Sequence, residues 1–100
     1  MAFSYSEFVL VELPEMTQED LVELKQAMQS IYKELCHTSQ MTKSVYLRAQ
    51  ISAIDSELLI RDCKLHDVTS YELRTLQKSM AEDIQIQDAI AIVLMRRAEW

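Results

Sequence analysis

Along the chain, apolar residues recur at alternating steps of three and four in three separate stretches. The first runs through Leu21, Leu24, Met28, Ile31 and Leu35, a narrow seam of the coiled-coil kind that Val22, Tyr32 and Cys36 broaden. The second runs through Leu47, Ile51, Ile54 and Leu58, meets Arg61 where an apolar residue is due, and resumes at Leu65. The third runs through Leu73, Leu76, Met80 and Ile84, then dissolves into AIAIVLM, residues 89–95, which is apolar around the whole helical circumference. The three seams predict helices over about 17–37, 42–66 and 69–98. Linkers of only a few residues make neighbours antiparallel, so the expected fold is all-α, an antiparallel bundle of three helices with a short N-terminal arm.

Two of the helix starts share one pattern. MTQEDL at Met16 and VTSYEL at Val68 each place a threonine three residues before an acid. Thr17 with Asp20, and Thr69 with Glu72, therefore read as capping boxes, with Met16–Leu21 and Val68–Leu73 as the apolar staples across them. A third start, MTKS at Met41, has the threonine without the acid. The arm is ambiguous. EFVLVEL alternates like a strand, with Phe8 and Leu10 on one face and Val9, Val11 and Leu13 on the other, before Pro14 stops it. It reads equally as one or two turns of helix begun at Ser4, with Glu7 as the boxed acid.

Composition strengthens the helical reading. Neither glycine nor asparagine occurs, so the residues that take positive φ most cheaply are missing. That excludes primed hairpin turns and the glycine loops of the Walker and dinucleotide motifs. A chain of 100 residues, 49% apolar, suits one compact domain, residues 1–100. The net charge of −6 opposes general binding to nucleic acid. Acid is concentrated early: up to Leu35, Glu7, Glu12, Glu15, Glu19, Asp20, Glu23 and Glu34 stand against only Lys25 and Lys33. Of these, Glu19, Asp20 and Glu23 form an acidic face on the first helix. No stretch approaches the roughly 18 apolar residues of a membrane span, and no basic-then-apolar leader opens the chain. A soluble protein of the cytoplasm, with no membrane partner, is expected. Cys36 and Cys63 fit a reducing compartment.

Candidate chemistry is sparse. Cys36–His37 and Cys63 with His66 are zinc-ligand types. In an antiparallel hairpin, however, Cys63 lies about 30 Å from the end of the first helix, so neither a metal site nor a disulfide within the chain is expected. Both histidines fall at helix ends, where the C-terminal dipole favours them. Arg61 on an apolar seam demands a carboxylate, with Glu23, Glu57 and Asp62 the candidates, or else its head reaches the bundle edge. YLRAQISAIDSELL, residues 46–59, resembles the opening helix of the small all-helical chorismate mutases, and the resemblance implies a substrate carboxylate on Arg48. It covers fourteen residues, and the second arginine and loop lysine of that family's cationic cage have no counterpart here. No serine, cysteine and histidine set carries a third orienting group, and Glu82, Asp83 and Asp88 read as solvated carboxylates. No catalytic residue, cofactor or metal is expected.

What remains is surplus apolar surface. A helix in a simple three-helix bundle needs one apolar stripe, yet residues 89–95 are apolar all round. The expectation is a non-enzymatic protein–protein interaction module: a small acidic chaperone, adaptor or assembly factor that self-associates and holds another protein, with a helix as the candidate contact. Ile90, Val93, Leu94, Met95 and Arg61 are its expected interface. The alternatives are an acidic inhibitor or regulator that presents Glu19, Asp20 and Glu23 to a basic target, and a small all-helical enzyme.

Overall fold

The computed structural model describes residues 4–36 and 41–98. Every regular element among them is helical, and five helices are present. Helix α1 covers residues 5–15, α2 is Gln18–Cys36, α3 is Met41–Asp62, α4 is Ser70–Ser79 and α5 is Ile84–Arg96, with a 3₁₀ turn at Leu65–Asp67. An all-helical chain is what the periodicity predicted. The count differs from three because the arm is a helix and the last expected helix is two. The chain divides into two compact units, Met1–Ile54 and Asp55–Trp100.

The arm takes the helical alternative. Ser4 caps it, its hydroxyl accepting from the Glu7 amide at 3.3 Å, and no strand occurs among the described residues. Between the α-helical turns Tyr5–Glu7 and Leu13–Glu15 lies a π-helical stretch, Phe8–Glu12, in which the Leu13 amide donates to the Phe8 carbonyl. Pro14 explains its position, since a proline ring crowds the carbonyl four residues back and a wider turn relieves that contact. The wider turn also organises burial. In an α-helix Leu13 would stand about 140° around the axis from Phe8. Pairing five residues apart brings them onto one side, and Phe8, Val9 and Leu13 are all buried.

The expected caps at Thr17 and Thr69 are present. The Thr17 hydroxyl accepts from the Asp20 amide at 3.1 Å, and the Thr69 hydroxyl from the Glu72 amide at 3.2 Å. The second departs from a reciprocal box, because the Glu72 carboxylate accepts a hydrogen bond from the Thr69 hydroxyl at 3.0 Å. Thr42 has a side chain outside the described residues. A cap the sequence did not announce splits the last helix: Asp83 accepts from the Ile86 amide at 3.1 Å and starts α5. Gln87 seals the break from the other side, its Nε2 donating to the Gln77 and Met80 carbonyls at 2.9 Å each. Replacing Asp83 or Thr69 by alanine is expected to cost about 0.5–2 kcal/mol in urea denaturation.

Helices α4 and α5 pack on each other, and the 3₁₀ turn packs on α5. Without glycine, two helix ends still require the left-handed conformation, and Lys64 (φ 52°) and Ala98 (φ 57°) supply it. A side chain with a Cβ costs about 1–2 kcal/mol there. Lys64→Gly recovers part of that against its greater unfolded-state entropy, so a gain of about 0.5–1 kcal/mol is expected by urea denaturation.

Candidate functional site

Two places in the chain merit consideration as sites: a polar cluster in residues 55–98 and an uncovered apolar surface in residues 22–52.

The polar cluster is built around Glu57, whose side chain is 3% exposed. Its Oε2 accepts from Arg96 Nη2 at 2.6 Å, and its Oε1 from Arg61 Nε at 3.1 Å. Of the three carboxylates the sequence offered to Arg61, the structure uses Glu57, one helical turn before it on α3. Arg96 also reaches His66, its Nη1 lying 3.0 Å from Nε2. A guanidinium only donates, so His66 accepts through Nε2 and carries its proton on Nδ1. Arg97 ties down the same turn, donating to the Val68 carbonyl at 2.6 Å, the His66 carbonyl at 3.0 Å and the Ser70 hydroxyl at 3.0 Å. The cluster thus fastens the end of α5 to the segment between α3 and α4. No buried side-chain polar atom among the described residues lacks a partner.

His66 does not behave as the helix-dipole argument expects, since a C-terminal dipole would favour the charged ring. Partial burial and then the Arg96 guanidinium hold its pKa below the ordinary 6.5, outweighing the nearby Glu57 carboxylate. The sign follows from linkage. A histidine whose folded pKa is lowered contributes no penalty above the unfolded value, and destabilises as pH falls below it, because the unfolded chain binds the proton more readily. As pH falls below about 6.5, stability is therefore expected to drop by more in the native protein than in His66→Gln, compared by urea midpoints. The ring is exposed, so solvent screening keeps the difference small.

This arrangement is an anchor without an open reaction centre. Glu57 is saturated by two arginines, and no group of three or more histidine, cysteine or acidic residues among the described residues could hold a metal ion. Cys63 is exposed as a free thiol. The Cys36 side chain and all of His37 lie outside the described residues. Arg48, the position that the chorismate mutase resemblance singles out, is exposed on α3. No described helix is long and apolar enough to cross a membrane.

The expected interface residues fall elsewhere than on an open face. Ile90 and Val93 are fully buried within the single chain, and Leu94 is 2% exposed. Met95 is half-buried, and Arg61 is held by Glu57. The helix that is apolar all round is thus covered nearly all round, with Ala91 exposed among buried Ala89, Ile90, Ile92, Val93 and Leu94.

The uncovered surface lies in α2 and the first half of α3. From Val22 to Ser52 no described side chain is buried. Yet this stretch holds most of the first seam and half of the second. Leu24, Met28, Tyr32, Leu35, Leu47 and Ile51 are half-buried, while Val22, Ile31, Val45 and Tyr46 are exposed, Val45 by 62%. At its far end the acidic residues Glu19, Asp20 and Glu23 are all exposed and flank Val22. Sequence periodicity identified these seams but placed the expected interface residues on α5 and at Arg61 of α3.

Comparison with known protein families, with curated proteins and with solved structures finds no match to this chain.

Proposed function

We propose that the protein is a non-enzymatic interaction module that self-associates through the helical hairpin of α2 and the first half of α3. One observation carries this reading: thirty-one consecutive positions, Val22 to Ser52, hold most of α2 and the first half of α3 and no buried described residue. Half-buried and exposed apolar side chains along both helices leave part of each apolar stripe in water. Two further helices close such a core, as in a four-helix bundle. The narrow spacing of Leu21, Leu24, Met28, Ile31 and Leu35 suits helices as the covering elements, because a two-in-seven seam is the pattern that helices use against helices. A role as chaperone, adaptor or assembly factor is consistent with such a surface, which accepts a partner's helix by the same geometry.

The test uses exposed positions. Ile31→Glu and Val45→Glu should lower the sedimenting mass of the protein at tens of micromolar while leaving its helical circular dichroism intact. Ile84→Glu, at a 75% exposed position outside the hairpin, should leave the mass unchanged. A wild-type protein that sediments as a monomer at that concentration sinks the proposal.

A further inference from the structure

We infer that the occupant of the α2–α3 surface is a second copy of this chain, docked antiparallel so that the acidic end of one hairpin meets the basic end of the other. The inference rests on the self-association proposed above and adds its partner and orientation. Charge along the hairpin carries it. At the start of α2, Glu19, Asp20 and Glu23 are exposed within its first two turns. At the other end, exposed Lys33 lies in the last turn of α2, and exposed Lys43 and Arg48 lie in the first half of α3. Glu34 is the one acid beside them, and none occurs from Met41 to Ile54.

Only residues 37–40 join the two helices, which keeps the end of α2 and the start of α3 within roughly 18 Å. The basic residues therefore share one end of the hairpin. The acids sit at the other, about 21 Å away along α2 from Glu19 to Lys33. Side by side in the same direction, two copies would set acid against acid and base against base. Related by a two-fold axis across the hairpins, each acidic end faces a basic one twice over, an isologous contact that closes at two subunits. The apolar seam supplies the attraction, and the charges select the orientation.

The experiment is a charge exchange in the full chain. Glu19→Lys with Glu23→Lys makes one variant, and Lys43→Glu with Arg48→Glu makes the other. All four positions are exposed, so packing is undisturbed, and circular dichroism checks that helicity is kept. Each variant alone faces like charges at both ends and should dissociate about tenfold more readily than the native protein. An equimolar mixture of the two restores opposite charges at both ends and should form a mixed dimer with an affinity within a few-fold of the native one, read by sedimentation with one variant fluorescently labelled. An unfolded variant cannot produce that rescue. A native protein that dimerises while the variants dimerise equally well, or while the mixture gives no mixed dimer, overturns the antiparallel docking and leaves self-association standing. Weakening by the acidic-end variant alone, with the basic-end variant dimerising as the native protein does, also overturns it. A native protein that stays monomeric removes the proposed function itself.

Discussion

Ile90→Glu is expected to unfold the chain rather than to release a folded monomer. Ile90 has no exposed surface, and it lies in the run from Ala89 to Leu94 in which only Ala91 is exposed. A carboxylate placed there either remains ionised without a partner or takes up a proton, and both are costly in a closed apolar site. A penalty above about 4 kcal/mol is expected, out of the roughly 5–15 kcal/mol that holds a domain of this size together. The milder Ile90→Ala removes the same packing without introducing charge, and should cost about 2–5 kcal/mol with the helices retained. Thermal unfolding followed by circular dichroism separates the cases. A cooperative melt for Ile90→Glu close to that of the native protein would mean that Ile90 faces outward, as an interface residue does.

Glu57→Ala is the second large effect. Its carboxylate holds Arg96, whose side chain is 10% exposed, and Arg61, whose side chain is 26% exposed. Removing it takes the carboxylate from a guanidinium that is mostly out of water, which costs about 3–5 kcal/mol. Arg61→Ala is the contrasting case. It takes away the more exposed half of the cluster and leaves Glu57 paired with Arg96, so its cost should stay within about 1 kcal/mol. Urea denaturation of the two variants gives the comparison directly. Equal costs would show that Glu57 does not depend on Arg96 in the way the geometry implies.

How far the sequence revealed this molecule depended on the kind of signal. Helix α2 was legible at both ends, because Thr17 and Asp20 announce its start and the apolar seam persists to Leu35. The break at residues 80–83 was not, since Asp83 caps α5 without an acid three residues on and without glycine or proline nearby. Its carboxylate looked like any other solvated charge. The loss of seam periodicity after Ile84, which is 75% exposed, was the available sign that a new helix had begun. In the arm, strand and helix stood equally open, because Phe8 and Leu13 do not fall on one face of an α-helix. Phe8 joins Val9 and Leu13 on one face through the π turn.

The polar cluster was half legible. Arg61 stood out as a charge on an apolar seam, and Glu57 was among its possible partners. Arg96 and His66 were not connected to it, because a pair thirty residues apart leaves no trace in local periodicity. On α3 the periodicity also favoured the less covered face. Of Leu47, Ile51, Ile54 and Leu58 only Ile54 is buried, while Ala53, Ser56, Glu57 and Ile60 are buried beside it. A face made of small residues and a paired carboxylate has little hydrophobic signal, although it is the better packed.

That same mismatch between apolar pattern and actual burial is the basis of the functional reading, and side-chain footprinting at two concentrations tests it most directly. Tyr46 lies on the uncovered hairpin with 52% exposure, and Tyr71 on α4 has 81%. Hydroxyl-radical labelling at submicromolar and at tens of micromolar protein should show Ile31 and Tyr46 becoming protected as concentration rises, with Tyr71 and Ile84 labelled equally at both. Equal labelling of Ile31 and Tyr46 at the two concentrations would contradict the account.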